Sequence, residues 1–107
     1  MKYLLLICGD ESAAEHADDG CGGWSEEMLR RGVVRDGAGL RPPSEAKTVR
    51  VRDDTVLLSD GPFAETKEQI GGFCLIDCAD LDEALEIAAR HPAAAYGTIE
   101  VRPVRQP

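Results

Sequence analysis

Asp60-Gly61-Pro62-Phe63-Ala64-Glu65-Thr66-Lys67-Glu68-Gln69-Ile70-Gly71-Gly72 joins one apolar run, Val56-Leu57-Leu58, to a second, Phe73-Cys74-Leu75-Ile76. Short apolar runs bounded by turn residues read as strands, so the polar groups of this stretch start and finish at strand ends, where a rigid scaffold can position them. Gly61 can take backbone angles closed to other residues, and Pro62 fixes its own φ. Phe63 can anchor the loop by burial. The rest offers carboxylates on Glu65 and Glu68, an ammonium on Lys67 and a hydroxyl on Thr66. A loop needed only to connect two strands could be much shorter. The stretch is therefore both a fold marker and a candidate site.

Downstream, Gly72 to Asp77 is a two-faced strand, with Phe73 and Leu75 opposing Cys74 and Ile76. Asp80 to Arg90 reads as a helix. Asp80 caps it, Glu83 stands three residues on as in a capping box, and Pro92 ends it. Leu81, Ala84, Leu85 and Ala88 make its expected buried stripe, with Ile87 at the edge. Tyr96-Gly97 turns into a last strand, Thr98 to Arg102. Its one-sided alternation and Pro103 suggest a sheet edge.

Upstream, Lys47 to Arg52 places Val49 and Val51 on one side and Thr48, Arg50 and Arg52 on the other. Asp53-Asp54 is a turn signal, and Thr55 to Ser59 returns as the partner strand of a hairpin. Val33-Val34 starts an extended segment, and Trp24 to Arg31 a short helix with Trp24 and Met28 on one face and Gly32 as its C-cap. Asp10 to Gly23 offers at most a turn of helix, broken by Gly20, Gly22 and Gly23. Lys2 to Cys8 is a strand apolar on both faces, hence central and covered on both sides. The order is that of a βαββαβ ferredoxin-like α+β fold, an antiparallel sheet with an inserted β-hairpin, in a single domain over 1–107.

The formal charge of −8 disfavours a nucleic-acid or anionic-membrane surface. Seven acids and no Lys or Arg fall in Asp10–Glu27, whereas seven basic residues fall in Arg30–Arg52. Met1 to Cys8 is too short for a membrane span and lacks the order of a signal peptide, so a cytoplasmic protein is expected. The four cysteines form no C-x-x-C pair, and Cys8, Cys74 and Cys78 lie in apolar runs as reduced thiols would. With His16 and His91 the only histidines, no zinc-ligand spacing occurs. Neither a phosphate-cradling glycine loop nor a Gly-x-Ser-x-Gly elbow is present, and no metal or cofactor is expected.

The run Asp60-Gly61-Pro62-Phe63, continuing to Gly71-Gly72-Phe73, resembles the DGPF signature of the YCII-related domain proteins. The resemblance extends to Met1–Gly9, Gly32–Pro43, Leu75-Ile76-Asp77, Asp80–Ala84 and Ile99–Val104. It implies the same ferredoxin-like fold in its dimeric α/β-barrel form. It also implies a His and an Asp near a cleft, and an association of relatives with sigma-factor systems.

His91 closes the second helix, where carbonyls favour imidazolium. That helix runs back along the strand before it, so His91 approaches the sheet end fed by the Asp60 loop. Asp60 and His91 are thus the candidate catalytic pair, expected to raise the His91 pKa. Each also has a structural role open to it: Asp60 can rigidify the turn, and His91 can cap carbonyls. Gly61, Pro62, Phe63, Glu65, Lys67 and Tyr96 are the candidate ligand-binding residues, with Lys67 as anion anchor. Three functions are compatible with this pattern: a small-ligand-binding domain, a cofactor-independent lyase or isomerase, and a partner or regulator in a sigma-factor system. A homodimer is expected, because a ferredoxin-like sheet carries helices on one face only while its central strands are apolar on both.

Overall fold

The computed structural model describes residues 1–10, 21–64 and 67–105. Within them the chain runs β1 (Lys2–Gly9), α1 (Cys21–Arg30), β2 (Val34–Gly39), a 3-10 turn (Pro43–Glu45), β3 (Lys47–Arg52), β4 (Thr55–Asp60), β5 (Gln69–Asp77), α2 (Leu81–Ala89), α3 (Ala93–Tyr96) and β6 (Thr98–Pro103). Four strands form one antiparallel sheet in the order β2-β5-β1-β6, and β3 and β4 form a separate two-stranded hairpin. This is the ferredoxin-like α+β fold of the dimeric α/β-barrel type, with the hairpin inserted before the third sheet strand. The turn of helix looked for within Asp10–Gly23, and with it His16, lies outside the described residues, as does Glu65.

Strand alternation sets the core. Tyr3 and Leu5 of β1, Cys74 and Ile76 of β5, and the partly buried Ile99 and Val101 of β6 point to the helices. Trp24 and Met28 of α1 and Ala84, Ile87 and Ala88 of α2 meet them. Leu5, Met28, Ile76 and Ile87 are the largest side chains fully buried. Each contributes roughly 1.5–3 kcal/mol of apolar transfer. The other sheet face carries Leu4, Leu6, Phe73 and Leu75, all only partly buried.

Local signals explain the element ends. Asp80 Oδ1 accepts the Glu83 N–H at 2.9 Å, and Glu83 Oε1 reaches the Ala79 N–H at 3.1 Å. The reciprocal bond thus lands one residue before the cap. At the end of α1, the Gly32 N–H donates to Leu29 O and the Val33 N–H to Met28 O, the pair of bonds that closes a helix through a C-terminal glycine.

Two expectations are corrected by packing. Helix α1 begins at Cys21, so Gly22 and Gly23 lie inside it rather than breaking the chain before Trp24. On α2 the buried line is Ala84, Ile87 and Ala88, while Leu81 and Leu85 are about half exposed. The two alanines let the helix sit close to the sheet, and Trp24 Nε1 donates to Ile87 O at 3.0 Å. That buried bond satisfies the indole and an end carbonyl together, and ties the Ile87 side of α2 to α1.

Candidate functional site

Strand β1 ends at Gly9, β2 at Gly39, and β5 begins at Gln69, all at one end of the sheet. A cleft of about 1400 Å³ opens there. Ile7, Val34, Leu40, Ile70 and Phe73 give it apolar walls, and Trp24, His91 and Tyr96 close its helical side. Pro62 and Lys67 bring the Asp60–Gly72 stretch to its rim. The topology therefore does carry His91 to the end of β5 fed by that loop.

His91 is buried, at 4% exposure. Its Nδ1 accepts the Ala93 N–H at 3.0 Å, and its ring meets the Trp24 indole edge-on at 4.7 Å between centroids. A backbone N–H can only donate, so this Nδ1 carries no proton and the ring is neutral with its proton on Nε2. Burial accordingly holds the His91 pKa below its ordinary value. The expected upward shift is overturned: desolvation of the imidazolium outweighs the helix carbonyls. The imidazole receives an amide at the start of α3.

Asp60 lies elsewhere. It is the last residue of β4, opposite Lys47 in the hairpin register, and its exposed carboxylate pairs with the Lys47 ammonium. It is not among the residues lining the cleft. The loop it starts is nevertheless pre-shaped as its sequence suggests. Gly61 has φ of +88°, its N–H donates to Ala46 O at 2.8 Å, and its carbonyl accepts the Thr48 hydroxyl at 2.8 Å. Phe63 is not a buried anchor: it is 74% exposed and stacks beneath the Arg50 guanidinium at 4.6 Å, on the hairpin's outer side.

Lys67 is exposed at the cleft rim and makes no ion pair among the described residues. The other cations of the cleft are engaged. Arg41 pairs with Glu45 at 3.1 Å, and Arg35 donates to Gly32 O at 2.8 Å. Tyr96 ends α3 and is half-buried. The following Gly97 is required by close approach, because a Cβ there would overlap the Cys8 carbonyl oxygen of β1. That contact presses α3, and Tyr96 with it, onto the sheet end.

Cys8 and Cys74 also line the cleft, and burial pushes both thiols up, so neither is a nucleophile at neutral pH. Among the described residues no group of three His, Cys, Asp or Glu converges on a metal-sized position. Sequence reasoning missed Trp24, Ile7 and Ile70 as cleft residues. Trp24 was legible only as a helix-face residue, and Ile7 and Ile70 flank a register shift between β1 and β5 at which Gly71 is the extra residue.

The chain was compared with known proteins. A model of the YCII-related domain matches residues 1–106. An uncharacterized protein of Rhizobium meliloti (strain 1021) is 39% identical over 121 residues, covering 97% of this chain and 92% of that protein. Among solved structures, 5-chloro-2-hydroxyhydroquinone dehydrochlorinase (TftG) from Burkholderia phenoliruptrix AC1100, in complex with 2,5-dihydroxybenzoquinone, superposes with a TM-score of 0.59 at 13% identity. The match covers 100% of this chain and 96% of that one, and at this identity it speaks for the fold.

Proposed function

The chain belongs to the YCII-related domain family, and from the cleft its fold builds around His91 we propose that it binds a small, largely apolar molecule carrying an anionic group. The observation that carries this reading is the convergence of Trp24, Lys67, His91 and Tyr96, far apart in sequence, on one cleft with apolar walls. Apolar walls with a few convergent polar groups are the usual make-up of small-molecule sites. At about 1400 Å³ the cleft exceeds the usual range and is therefore open at its mouth. Lys67 is the anion anchor, and neutral His91 and Tyr96 supply hydrogen-bonding groups on the wall.

A second reading makes the same cleft catalytic, as a cofactor-independent lyase or isomerase. Its support is the neutral, buried His91, whose Nε2–H can donate a hydrogen bond to charge developing on a substrate oxygen. The dehydrochlorinase named above adds an instance of such a fold with a dihydroxybenzoquinone bound. In this reading His91 works without Asp60 of its own protomer, whose carboxylate is engaged by Lys47 outside the cleft.

The test is thermal unfolding in the presence of 2,5-dihydroxybenzoquinone, hydroxybenzoates and their uncharged alcohols. An anion of the right size raises Tm, the uncharged analogue raises it less, and both Lys67→Gln and Tyr96→Phe reduce the shift. At a hundredfold excess over Kd the stabilisation is about 2.7 kcal/mol. No shift with any of these compounds, or a shift indifferent to both substitutions, would overturn the assignment of the cleft.

A further inference from the structure

The floor of the cleft is bare backbone. Cross-strand partners share a face. The register sets Gly37 opposite Cys74 and Gly39 opposite Gly72, and Gly72 also lies opposite Ile7 of β1. Cys74 packs towards the helices, so Gly37, Gly39 and Gly72 leave that same face without side chains. All three line the cleft, and Trp24, His91 and Tyr96 form its opposite, helical wall.

The fold accounts for two of these glycines and not for the third. A Cβ on Gly37 would lie 2.9 Å from the Phe73 carbonyl oxygen, and one on Gly72 would lie 3.1 Å from that of Ala38. Close backbone therefore holds both positions to glycine. A Cβ on Gly39 would meet no atom of the described residues within 4 Å. Only Gly32 and Gly61 of the described glycines take a positive φ, so Gly39 is not kept for its backbone angles either. Glycine weakens a strand, and where neither bend nor packing asks for it, it lets another group approach the backbone. The space that a side chain on Gly39 would fill is cleft space.

We infer that the cleft takes a planar ring, aromatic or quinonoid, laid flat on the backbone of Gly37, Gly39 and Gly72, and that Gly39 sets this preference. The inference rests on the reading of the cleft as a small-molecule site. From Gly37 to Gly39 the bare span along β2 is about 7 Å, and from Gly39 across to Gly72 about 5 Å. That is the footprint of one six-membered ring. A flat ring touches the peptide planes over its whole face. The axial hydrogens of a saturated chair hold its carbons off the floor and forfeit much of that dispersion contact. The anionic substituent then lies at the ring's edge, towards Lys67 at the rim.

Two acids of equal charge that differ in flatness test this: para-hydroxybenzoate and its fully saturated cyclohexane analogue, each titrated calorimetrically into the full chain. Wild type should bind the planar acid roughly tenfold more tightly, the discrimination that one misplaced methylene produces. Gly39→Ala puts a methyl on the floor and should weaken the planar acid by about the same factor, erasing the preference. Its ligand-free Tm should equal or exceed that of wild type. Lys67→Gln should weaken both acids alike and keep their ratio. Equal binding of the two acids by wild type, or unchanged binding of the planar acid by Gly39→Ala, overturns the flat-ring inference and leaves the cleft a ligand site. A lower ligand-free Tm for Gly39→Ala also overturns it, since the glycine would then be a demand of the fold. If neither acid binds wild type, the inference and the small-molecule reading fall together.

Discussion

At the scale of single residues, His91 shows how one contact reverses a chemical expectation. A histidine after a helix end is expected to be charged by the carbonyls around it. Here Nδ1 is spent on the Ala93 amide and the ring packs edge-on against Trp24, so a charge on it would be buried. The consequence for stability has a definite sign. The unfolded imidazole takes a proton near its ordinary 6.5, and the folded one only at lower pH. The unfolded state therefore binds more protons between those two values. The His91 contribution is complete above about pH 6.5 and is lost as pH falls towards the folded pKa. Urea midpoints taken from pH 7.5 down to pH 5 should fall more steeply for wild type than for His91→Gln. Parallel slopes would mean that His91 is not held neutral by burial.

At the scale of elements, helix α2 shows what a cap does and what it leaves open. Asp80 fixes where the helix starts by taking the Glu83 amide, a purely local interaction. Asp80→Ala should lower the unfolding free energy by about 1 kcal/mol. Asp80→Asn should recover most of it, since its side-chain oxygen accepts the same bond. Equal stability of all three proteins in urea would show that the cap carries no energy. The rotation of the same helix is not local. Its apolar residues allow either the leucine side or the Ile87 side to face inwards, and the bond from Trp24 to the Ile87 carbonyl selects the latter. Arg90 with Glu27 at 2.9 Å and Arg31 with Glu86 at 3.4 Å clasp the two helices on the exposed side. Each such surface pair adds little by itself.

At the scale of the whole molecule, the core is concentrated where β1 and β5 meet the helices, and the hairpin shares none of it. Stability should be divided in the same way. Amides of β3 and β4 should exchange through local opening. Amides of β1 and β5 should exchange only on global unfolding. Hairpin protection equal to that of β1 would show that the hairpin is stabilised from within.

The strands, the α2 cap, the hairpin and the central places of β1 and β5 could all be read from the sequence. Each rests on alternation or on a contact within four residues, and such signals survive without a partner. The Asp60–Gly72 stretch was likewise recognisable from Gly61, Pro62 and its run of polar groups, and Gly61 does take a positive φ. Which of its side chains reach the cleft was decided only by the fold. Lys67 and Pro62 arrive there, while Asp60 is drawn to Lys47 by the hairpin register. The charge state of His91 was decided in the same way. Helix position argues for a cation, burial argues for a neutral ring, and only packing reveals that the ring is buried. Pattern also gave the hairpin its two faces, Val49 and Val51 opposite Arg50 and Arg52. It could not say that the apolar one turns away from the protomer's own core, because alternation records which side avoids water and not what covers it.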